Sequence, residues 1–513
     1  MLFNSYGFLF AFLPITWIGH EILRRLELRT AALAWLAAAS ALFYASWNPR
    51  LLPVLLISIL INYTVGGWLR RQAQHSGHGS KVLLTLGLIF NLGLLAYFKY
   101  ANFLVDNVDR LAGFDLVLAK IVLPIGISFF TFQKIAYLID SYKGIAKCGS
   151  LLEFLMFVLF FPQLIAGPIV HYSEIMPQLA RSWPVPAADR LAVGLTILVI
   201  GLIKKVFIAD TMAIPATSLF AAAAHGHDPA LIESWIGTLS YAFQIYFDFS
   251  GYSDMAIGLA WMFGIRLPVN FASPYKADSI ADFWQRWHVT LSRFLKAYLY
   301  IPLGGSRQGP TRNYLNLLVT MLLGGLWHGA AWTFVLWGLL HGVMIVVHRL
   351  WRRSAAMPRL HPGLARGLTL FCVVLAWVPF RAPDLQTALC VYRGLAGLNG
   401  ILLPSALVAS LDRLPGFGAL LTAGPIDVDR PLSTALWILG LLAVVWFLPN
   451  THQWLGSASP GLPSEGYPAT ALLPTPRFLQ WRPNWLYGLS FAGGLFICVI
   501  KLNDVSPFIY FQF

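Results

Sequence analysis

The sequence predicts an all-α fold: a polytopic bundle of transmembrane helices in which broken or re-entrant helices line a cavity. Hydrophobic residues make up 58% of the chain and charged residues only 11%, whereas a soluble domain usually carries about a quarter charged residues. A bilayer core about 30 Å thick needs roughly 20 apolar residues for each helical crossing. Apolar runs recur along all 513 residues. The chain therefore has room for about 11–13 membrane segments, in one domain that spans residues 1–513.

The first apolar run covers residues 8–23, and basic residues follow it. A cleaved signal peptide carries its positive charge before the apolar run, so this run is interpreted as a membrane span whose N-terminus lies outside. A second run covers residues 30–47, and the third run again ends in basic residues. Cytoplasmic loops of membrane proteins collect Lys and Arg. The residues that fit this orientation are Arg24, Arg25, Arg29, Arg70, Arg71 and Lys81.

Ten further apolar runs lie near residues 82–104, 117–139, 151–169, 191–208, 231–262, 314–327, 332–347, 368–379, 433–447 and 486–500. Gly, Pro or Ser interrupts three of them, at 124–126, 166–168 and 250–251. Backbone groups freed inside a bilayer must be satisfied by protein or water, so these interruptions predict broken helices inside the bundle. Residues 401–431 and 457–476 are rich in Pro, Gly and Ser and are predicted to be loops.

Residues 270–312 differ from the rest because charged side chains alternate there with Trp and Leu. This pattern predicts a cytoplasm-facing, half-embedded segment. Ser279 followed by Asp282 is typical of a helix N-terminus. A helix that continues from this point would place Trp284 and His288 on one face.

His328 is the sharpest candidate for a functional residue. It lies in the apolar run Leu-Leu-Gly-Gly-Leu-Trp-His-Gly at 322–329, and an ionisable residue inside a membrane span is a functional candidate by default. A packing histidine bonded to a backbone carbonyl is the alternative. Trp287-His288 repeats the Trp327-His328 pair, which makes both tryptophans candidate substrate contacts. Two histidines at a membrane cavity suit proton transfer, because imidazole takes and gives a proton near neutral pH.

These residue types favour transfer of an acyl group to a hydroxyl. The hydroxyl would attack a thioester carbonyl, one histidine would take its proton, and a second donor or a backbone N–H would stabilise the oxyanion. The sequence has no H-E-x-x-H spacing and no Cys/His cluster, so no metal site is predicted. It also has no G-x-S-x-G elbow. The net charge of +14 fits basic loop ends, and no nucleic-acid partner is predicted.

Asp248, Ser250 and Asp254 place carboxylates and a hydroxyl within an apolar run. Structural hydrogen bonding and a role in the substrate site are both open for these three residues. Four further residues are interpreted as structural: Lys204 and Lys205 as a span boundary, and His341 and His348 as packing or interfacial histidines.

Several motifs, taken in order, resemble the membrane-bound O-acyltransferase family. The general likeness is carried by Phe-Trp-Gln-Arg-Trp-His (283–288), Gly-Leu-Trp-His-Gly (325–329), Trp-Gly (337–338) and His-Gly (341–342). Further motifs resemble the branch of this family that acetylates alginate in bacteria. They lie at 123–129, 161–168, 203–210 and 246–256. The likeness covers nearly the whole chain.

The resemblance implies a ring of helices around a central funnel, in which a cytoplasmic donor path meets an outer acceptor path. His328 matches the invariant histidine of the family. His288 matches the second active-site histidine of the related D-alanylation transporter, where many eukaryotic members carry Asn or Asp. The implied donor is acetyl-CoA, with no bound cofactor. The implied setting is the bacterial inner membrane with its lipids, beside a periplasmic SGNH-hydrolase-like acetyltransferase and a polysaccharide synthase complex.

The C-terminal aromatic tail, residues 505–513, ends in Phe-Ile-Tyr-Phe-Gln-Phe. This pattern resembles the acyl-accepting tail of a small companion protein in D-alanylation systems. The resemblance implies that Tyr510 carries the acyl group as an ester. An interfacial tyrosine in an aromatic belt is the alternative.

The leading hypothesis is a membrane enzyme that moves acetyl groups from cytoplasmic acetyl-CoA across the inner membrane. The product would be an O-acetylated exopolysaccharide such as alginate or cellulose. Transfer of a D-alanyl group, or transfer to peptidoglycan, would use the same fold. A secondary transporter would also use broken helices and buried charges, but the sequence contains no inverted repeat.

Overall fold

The computed structural model of the chain is nearly all helical, which confirms the predicted fold class. The structure describes residues 1–113, 118–119, 121–146, 149–180, 185–354, 358, 360–403, 422–423, 431–463, 475–476, 480–504 and 508–509. Within the predicted loop at 401–431, the two-residue strands β1 (Leu402–Leu403) and β2 (Thr422–Ala423) pair in parallel.

The described part of the chain contains a long series of helices. Up to residue 180 they are α1 (Leu13–Arg25), α2 (Arg29–Ala45), α3 (Leu52–Ser76), α4 (Lys81–Leu95), α5 (Ala101–Ala112), α6 (Ile127–Tyr142), α7 (Leu151–Leu159), α8 (Phe161–Leu164) and α9 (Tyr172–Ala180). The central helices are α10 (Ala187–Leu202), α11 (Asp210–Ala224), α12 (Leu231–Met262), α13 (Ile280–Arg286), α14 (Val289–Leu295) and α15 (Gly309–His328). The last are α16 (Trp332–Arg353), α17 (Pro362–Arg381), α18 (Leu385–Leu395), α19 (Pro431–Phe447), α20 (Thr451–Leu455) and α21 (Trp485–Ile500). Wider π-helical turns occupy Phe8–Phe12, Ala96–Tyr100, Ile203–Ala209 and Lys296–Tyr300.

Several of these helices are long and apolar enough to cross a membrane. Among the described residues five such stretches occur: Pro49–Ser76, Lys81–Ala112, Ala187–Ala224, Trp332–Arg353 and Pro362–Arg381. A sixth candidate consists of Pro431–Phe447 and Thr451–Ala458, which are bent by 52° at their junction. The total of about 11–13 membrane segments stays a prediction, because length and composition do not identify crossings made by interrupted helices.

Two of the three predicted interruptions are non-helical in the structure. Residues 124–126 precede α6, and residues 166–168 lie between α8 and α9. Gly126 has a φ of 74°, which glycine adopts at little cost. A Cβ at Gly126 would lie 2.7 Å from the carbonyl oxygen of Leu164. The turn before α6 therefore packs closely against the chain that leads into the second interruption.

The third predicted interruption, at Ser250-Gly251, is wrong because α12 continues through it. Gly251 provides close helix packing instead: a Cβ there would lie 2.8 Å from the carbonyl oxygen of Gly201. Similarly, a Cβ at Gly258 would lie 2.6 Å from the carbonyl oxygen of Gly194. Small residues at both levels allow the backbones of α10 and α12 to approach each other.

The helices α15 and α16 form a hairpin whose contact surface is also made of glycines. A Cβ at Gly325 would lie 2.2 Å from the carbonyl oxygen of Phe334, and a Cβ at Gly338 would lie 2.3 Å from that of Met321. Because the interface has no room for side chains there, the end of α15 is fixed against the first turns of α16. His328 is the last residue of α15 and thus lies on a rigid element.

Candidate active site

The imidazole of His328 is enclosed by aromatic side chains and is only 3% exposed. Its ring centroid lies 4.9 Å from that of Trp327, 5.0 Å from that of Trp337 and 5.3 Å from that of Phe380. Trp327 belongs to α15, Trp337 to α16 and Phe380 to α17. Three helices therefore build the surroundings of this histidine.

The helix expected to carry Trp284 and His288 on one face ends too early, so that expectation is wrong. Ser279 does cap α13, since its Oγ accepts the backbone N–H of Asp282 at 3.2 Å. However, α13 ends at Arg286, and His288 follows with φ 44° and ψ 52° in the left-handed region. A non-glycine residue in this conformation is strained, and such strain clusters at functional sites. The kink turns His288 away from the face of Trp284 and into the protein core, where it is fully buried.

The proton position on His288 is determined by Asn270. The Oδ1 of Asn270 lies 3.1 Å from Nδ1 of His288 and also accepts the backbone N–H and the hydroxyl of Thr290, at 3.3 and 2.9 Å. A backbone N–H can only donate, so Oδ1 is an acceptor and Nδ1 of His288 must carry the hydrogen. In the neutral imidazole, Nε2 then keeps its lone pair. His288 is therefore held in the tautomer that a general base requires.

The two histidines come together as the sequence predicted. The ring centroids of His288 and His328 are 6.3 Å apart, with planes at 60°. Trp327 lies beside both rings, at 6.0 Å from His288 and 4.9 Å from His328. Residues from distant parts of the sequence thus share one buried enclosure.

The two tryptophans of the Trp-His pairs occupy different surroundings. Trp327 contacts both histidines, whereas Trp287 stacks on Phe283 at 5.7 Å and packs against Trp377 at 4.9 Å. Trp287 is only 1% exposed. The geometry therefore keeps Trp327 as a candidate substrate contact and gives Trp287 a packing role behind His288.

Lys99 is a site residue that the sequence reasoning missed. Its Nζ donates to the carbonyl oxygens of Trp327 and His328, at 2.6 and 3.0 Å, and Tyr100 OH donates to that of Leu326 at 2.8 Å. These contacts satisfy carbonyl groups that every helix leaves free at its C-terminus. The available signal was a lone lysine inside the apolar run 82–104, which the cost of an intramembrane charge marks as a functional candidate.

Asp248 forms an ion pair with Lys205 and also binds the backbone of Ile509. Its Oδ1 lies 2.7 Å from Nζ of Lys205, which also pairs with Asp210 at 2.8 Å. Its Oδ2 accepts the backbone N–H of Ile509 at 2.8 Å. Ser250 is 2% exposed, and its hydroxyl has no hydrogen-bond partner among the described residues.

Asp254 belongs to a second polar cluster, which joins α12 to α20. Its Oδ2 lies 2.6 Å from Nζ of Lys204 and accepts the hydroxyl of Thr451 at 2.7 Å. Nε2 of His452 lies 3.6 Å from its Oδ1. The expectation that Lys204 and Lys205 mark a span boundary is wrong, because both lie in the middle of one candidate span, Ala187–Ala224, and pair with carboxylates of α12.

Two residues of the C-terminal tail, Phe508 and Ile509, lie in the core near His288. Phe508 and Ile509 are each 3% exposed. The Phe508 ring stacks on Tyr252 at 4.5 Å and packs against Phe249 at 5.8 Å, and the Phe249 ring lies 4.8 Å from that of His288. The predicted acyl carrier, Tyr510, follows directly in sequence but lies outside the described residues.

His341 lies one turn of α16 beyond Trp337 and is fully buried. Its Nδ1 accepts the indole N–H of Trp284 at 3.3 Å, and its ring lies 4.9 Å from that of Trp337. Because Trp337 in turn contacts His328, the packing role assigned to His341 includes support of the site. His348 lies farther along α16 and lines a separate groove.

The fold and the site define a class of protein: a multi-pass membrane protein whose core holds a buried pair of histidines suited to acid–base chemistry. Comparison with known proteins adds the family. Residues 44–379 match the model of the membrane-bound O-acyltransferase family, a region that includes both histidines.

Three relatives align over most of their length. The chain is 44% identical to a peptidoglycan O-acetyltransferase of Helicobacter pylori over 437 residues, which cover 78% of this chain and 81% of the relative. It is 37% identical to a probable alginate O-acetylase of Pseudomonas aeruginosa over 547 aligned positions that cover both chains completely. A probable alginate O-acetylase of Azotobacter vinelandii is 41% identical over 424 residues, 80% of this chain and 83% of the relative. The chain belongs to the membrane-bound O-acyltransferase family and is an acyltransferase.

Proposed function

We propose that this enzyme moves acetyl groups from cytoplasmic acetyl-CoA across the bacterial inner membrane, for O-acetylation of an exopolysaccharide of the alginate or cellulose type. The pair of His288 and His328 in one buried aromatic enclosure is the observation that carries this proposal. The three relatives above are named for O-acetyl transfer, which favours acetyl over D-alanyl as the group transferred.

In the proposed reaction a hydroxyl oxygen attacks the thioester carbonyl carbon of acetyl-CoA. Nε2 of His288 takes the hydroxyl proton, since Nδ1 donates to Asn270. The carbon–sulfur bond breaks, and the CoA thiolate leaves and receives the proton that His288 took. His328 is the second donor, which stabilises the negative charge that develops on the carbonyl oxygen. Trp327 packs against the reacting groups.

The hydroxyl that first accepts the acetyl group is, in this proposal, the phenol of Tyr510. Support comes from the residues that precede Tyr510. Asp248 binds the backbone N–H of Ile509. The Phe508 ring packs against Phe249, and the Phe249 ring packs against His288. A serine hydroxyl of a periplasmic SGNH-hydrolase-like partner would then attack the ester carbonyl, take the acetyl group and release the Tyr510 phenol. This partner would act beside the polysaccharide synthase complex.

Enzymes of this fold can differ in the polymer that accepts the acetyl group, an exopolysaccharide or peptidoglycan. The alginate O-acetylase relative aligns over the full length of both chains, which favours an exopolysaccharide. The peptidoglycan O-acetyltransferase relative has a higher sequence identity over a shorter alignment than the Pseudomonas aeruginosa relative. Peptidoglycan is therefore kept as a second candidate acceptor. A secondary transporter would move an intact solute and form no covalent acyl intermediate.

The proposal is tested with purified chain in nanodiscs and acetyl-CoA labelled in the acetyl group. We expect label on the C-terminal peptide of the wild type by mass spectrometry, and none in Tyr510→Phe. His328→Ala should lower the rate of labelling by the roughly 10²–10⁴-fold that acid–base groups contribute. Labelling that persists in His328→Ala contradicts the proposed site, and labelling elsewhere in Tyr510→Phe contradicts the relay alone.

A further inference from the structure

A groove lies between α16, α17 and the first residues of α13, at the far end of α16 from His328. Its volume is about 1150 Å³. The lining includes apolar residues of both spans, Val343, Val347 and Leu368. Arg352 and His348 lie at the end of the groove where α16 approaches its last residue. The groove therefore has an apolar length and a basic end.

The apolar side of the groove is open to the surroundings of the bundle. Val343 is 43% exposed, Val347 53% and Leu368 47%. All three belong to α16 or α17, which are candidate membrane spans. Exposed apolar side chains on membrane spans face hydrocarbon, so the groove opens sideways into the lipid.

Arginine side chains line the other end of the groove, opposite its apolar length. Arg352 makes no hydrogen bond or ion pair with another described residue, whereas the neighbouring Arg353 donates to Tyr314 OH at 2.9 Å. Burial lowers the pKa of Lys276, and the positive charges of Arg366 and Arg286 lower it further. Arg352 and Arg353 line this end of the groove, so positive charge is in excess there.

The basic end also offers an unused polar atom. Nδ1 of His348 is buried and has no hydrogen-bond partner in the described part of the chain. Asp278 is the one acid among the lining residues, so the basic side chains at this end outnumber it. Basic pockets between membrane helices bind the headgroups of anionic lipids.

We propose that this groove is a binding site for one anionic phospholipid. The phosphate would lie at Arg352 and His348, and an acyl chain would lie along Val343, Val347 and Leu368. The combination of a lateral apolar opening and a cationic end matches an amphiphile that enters from the bilayer. The inference requires only that the chain spans a membrane and does not depend on the proposed acyl acceptor.

The test uses the full chain in nanodiscs and a photoactivatable phosphatidylglycerol, with a photoactivatable phosphatidylcholine as the neutral probe. Cross-linked peptides are identified by mass spectrometry. We expect phosphatidylglycerol adducts on α16 and α17 and about fivefold weaker labelling in Arg352→Gln. Val347→Trp, which fills the groove without changing its charge, should also reduce labelling. Arg71→Gln removes an exposed charge elsewhere on the chain and should leave labelling unchanged.

Acetyl transfer by Arg352→Gln is measured in parallel. Unchanged transfer together with weaker lipid labelling supports a lipid site that is separate from the histidine pair. Equal labelling by the two lipids, or an equal loss in Arg71→Gln, overturns the proposal. It is also overturned if free CoA displaces the lipid probe while Arg352→Gln raises the KM for acetyl-CoA, because the groove would then take the soluble donor.

Discussion

The proposed chemistry depends first on one hydrogen bond, between Nδ1 of His288 and Oδ1 of Asn270. Replacing Asn270 by Ala should leave His288 in place but free to adopt the other tautomer, which puts a hydrogen on the nitrogen that has to accept the proton. We expect the transfer rate to fall by an amount approaching the roughly 10²–10⁴-fold contribution of a general base. The measurement is kcat and KM for acetyl-CoA, and we expect kcat to fall while KM stays nearly unchanged.

Asn270→Asp is the matched control, since a carboxylate still accepts from Nδ1. It should recover most of the lost kcat. An equal loss in both variants would mean that Asn270 holds the fold of the 270–290 segment and does not set the tautomer.

Lys99 gives a second prediction at the scale of the residue. Lys99→Met removes the donor to the carbonyl oxygens of Trp327 and His328, and an unsatisfied buried acceptor costs about 1–3 kcal/mol. We expect a lower thermal midpoint in detergent and reduced transfer, because the end of α15 carries His328. Tyr100→Phe removes the single bond to Leu326 and should cost only about 1 kcal/mol. A Lys99→Met protein with wild-type stability and activity would argue against this cap.

The sequence makes the two candidate catalytic histidines easy to single out, because each is chemically unusual where it stands. Two Trp-His pairs in an apolar chain are visible without coordinates, and the structure brings their imidazoles within 6.3 Å of each other. Lys99 and Asn270 were harder to find. Their importance comes from what they bond to across the fold, and no spacing in the sequence encodes those contacts.

At the scale of the helices, glycine explains both the successes and the errors. Gly126 breaks the chain as expected, whereas Gly251 lies inside a continuous helix and allows α10 to approach. The same residue type permits a turn or a close contact, and the sequence alone does not separate the two. The kink at Trp287-His288 is the opposite case, since no glycine or proline marks it and pairing with distant backbone determines it. Val289 N–H donates to the carbonyl of Asn270 at 3.0 Å.

The glycine contacts give a prediction for the α15–α16 hairpin. In Gly338→Ala the new methyl group would lie 2.3 Å from the carbonyl oxygen of Met321, so the two helices must separate. Overpacking of this kind costs about 1–3 kcal/mol, and the shift should also reduce acetyl transfer. Gly367→Ala is the control on α17, where a Cβ meets no atom within 4 Å and helix propensity favours alanine by up to about 1 kcal/mol. Equal melting temperatures for the two variants would show that the hairpin tolerates separation.

Two residues near the end of the chain, Phe508 and Ile509, lie in the core of the molecule. The described tail residues pack on α12, whose Phe249 also contacts His288. Asp248 and Lys205 form an ion pair inside the bundle, and a buried pair of this kind is weak evidence for stability. The sequence left Asp248 and Asp254 open between structural and substrate roles. In the structure Asp248 binds Lys205 and the backbone N–H of Ile509, and Asp254 joins α12 to α20.

The docked tail gives a prediction for the entire enzyme. Phe508→Ala removes the ring that stacks on Tyr252, and loss of a buried phenylalanine costs about 3–5 kcal/mol. Because Phe508 lies outside the helices of the bundle, we expect residues 508 and 509 to leave the core while the helical bundle stays folded. Carboxypeptidase should then remove the last residues of Phe508→Ala faster than those of wild type, and label on the C-terminal peptide should be lost.

Tyr6→Phe is the control, since it removes only a bond from a 42% exposed side chain to the carbonyl of Val499. If Phe508→Ala keeps both its protease resistance and its label, the tail is not anchored by this ring, and the link between Asp248, the tail and the histidine pair fails with it.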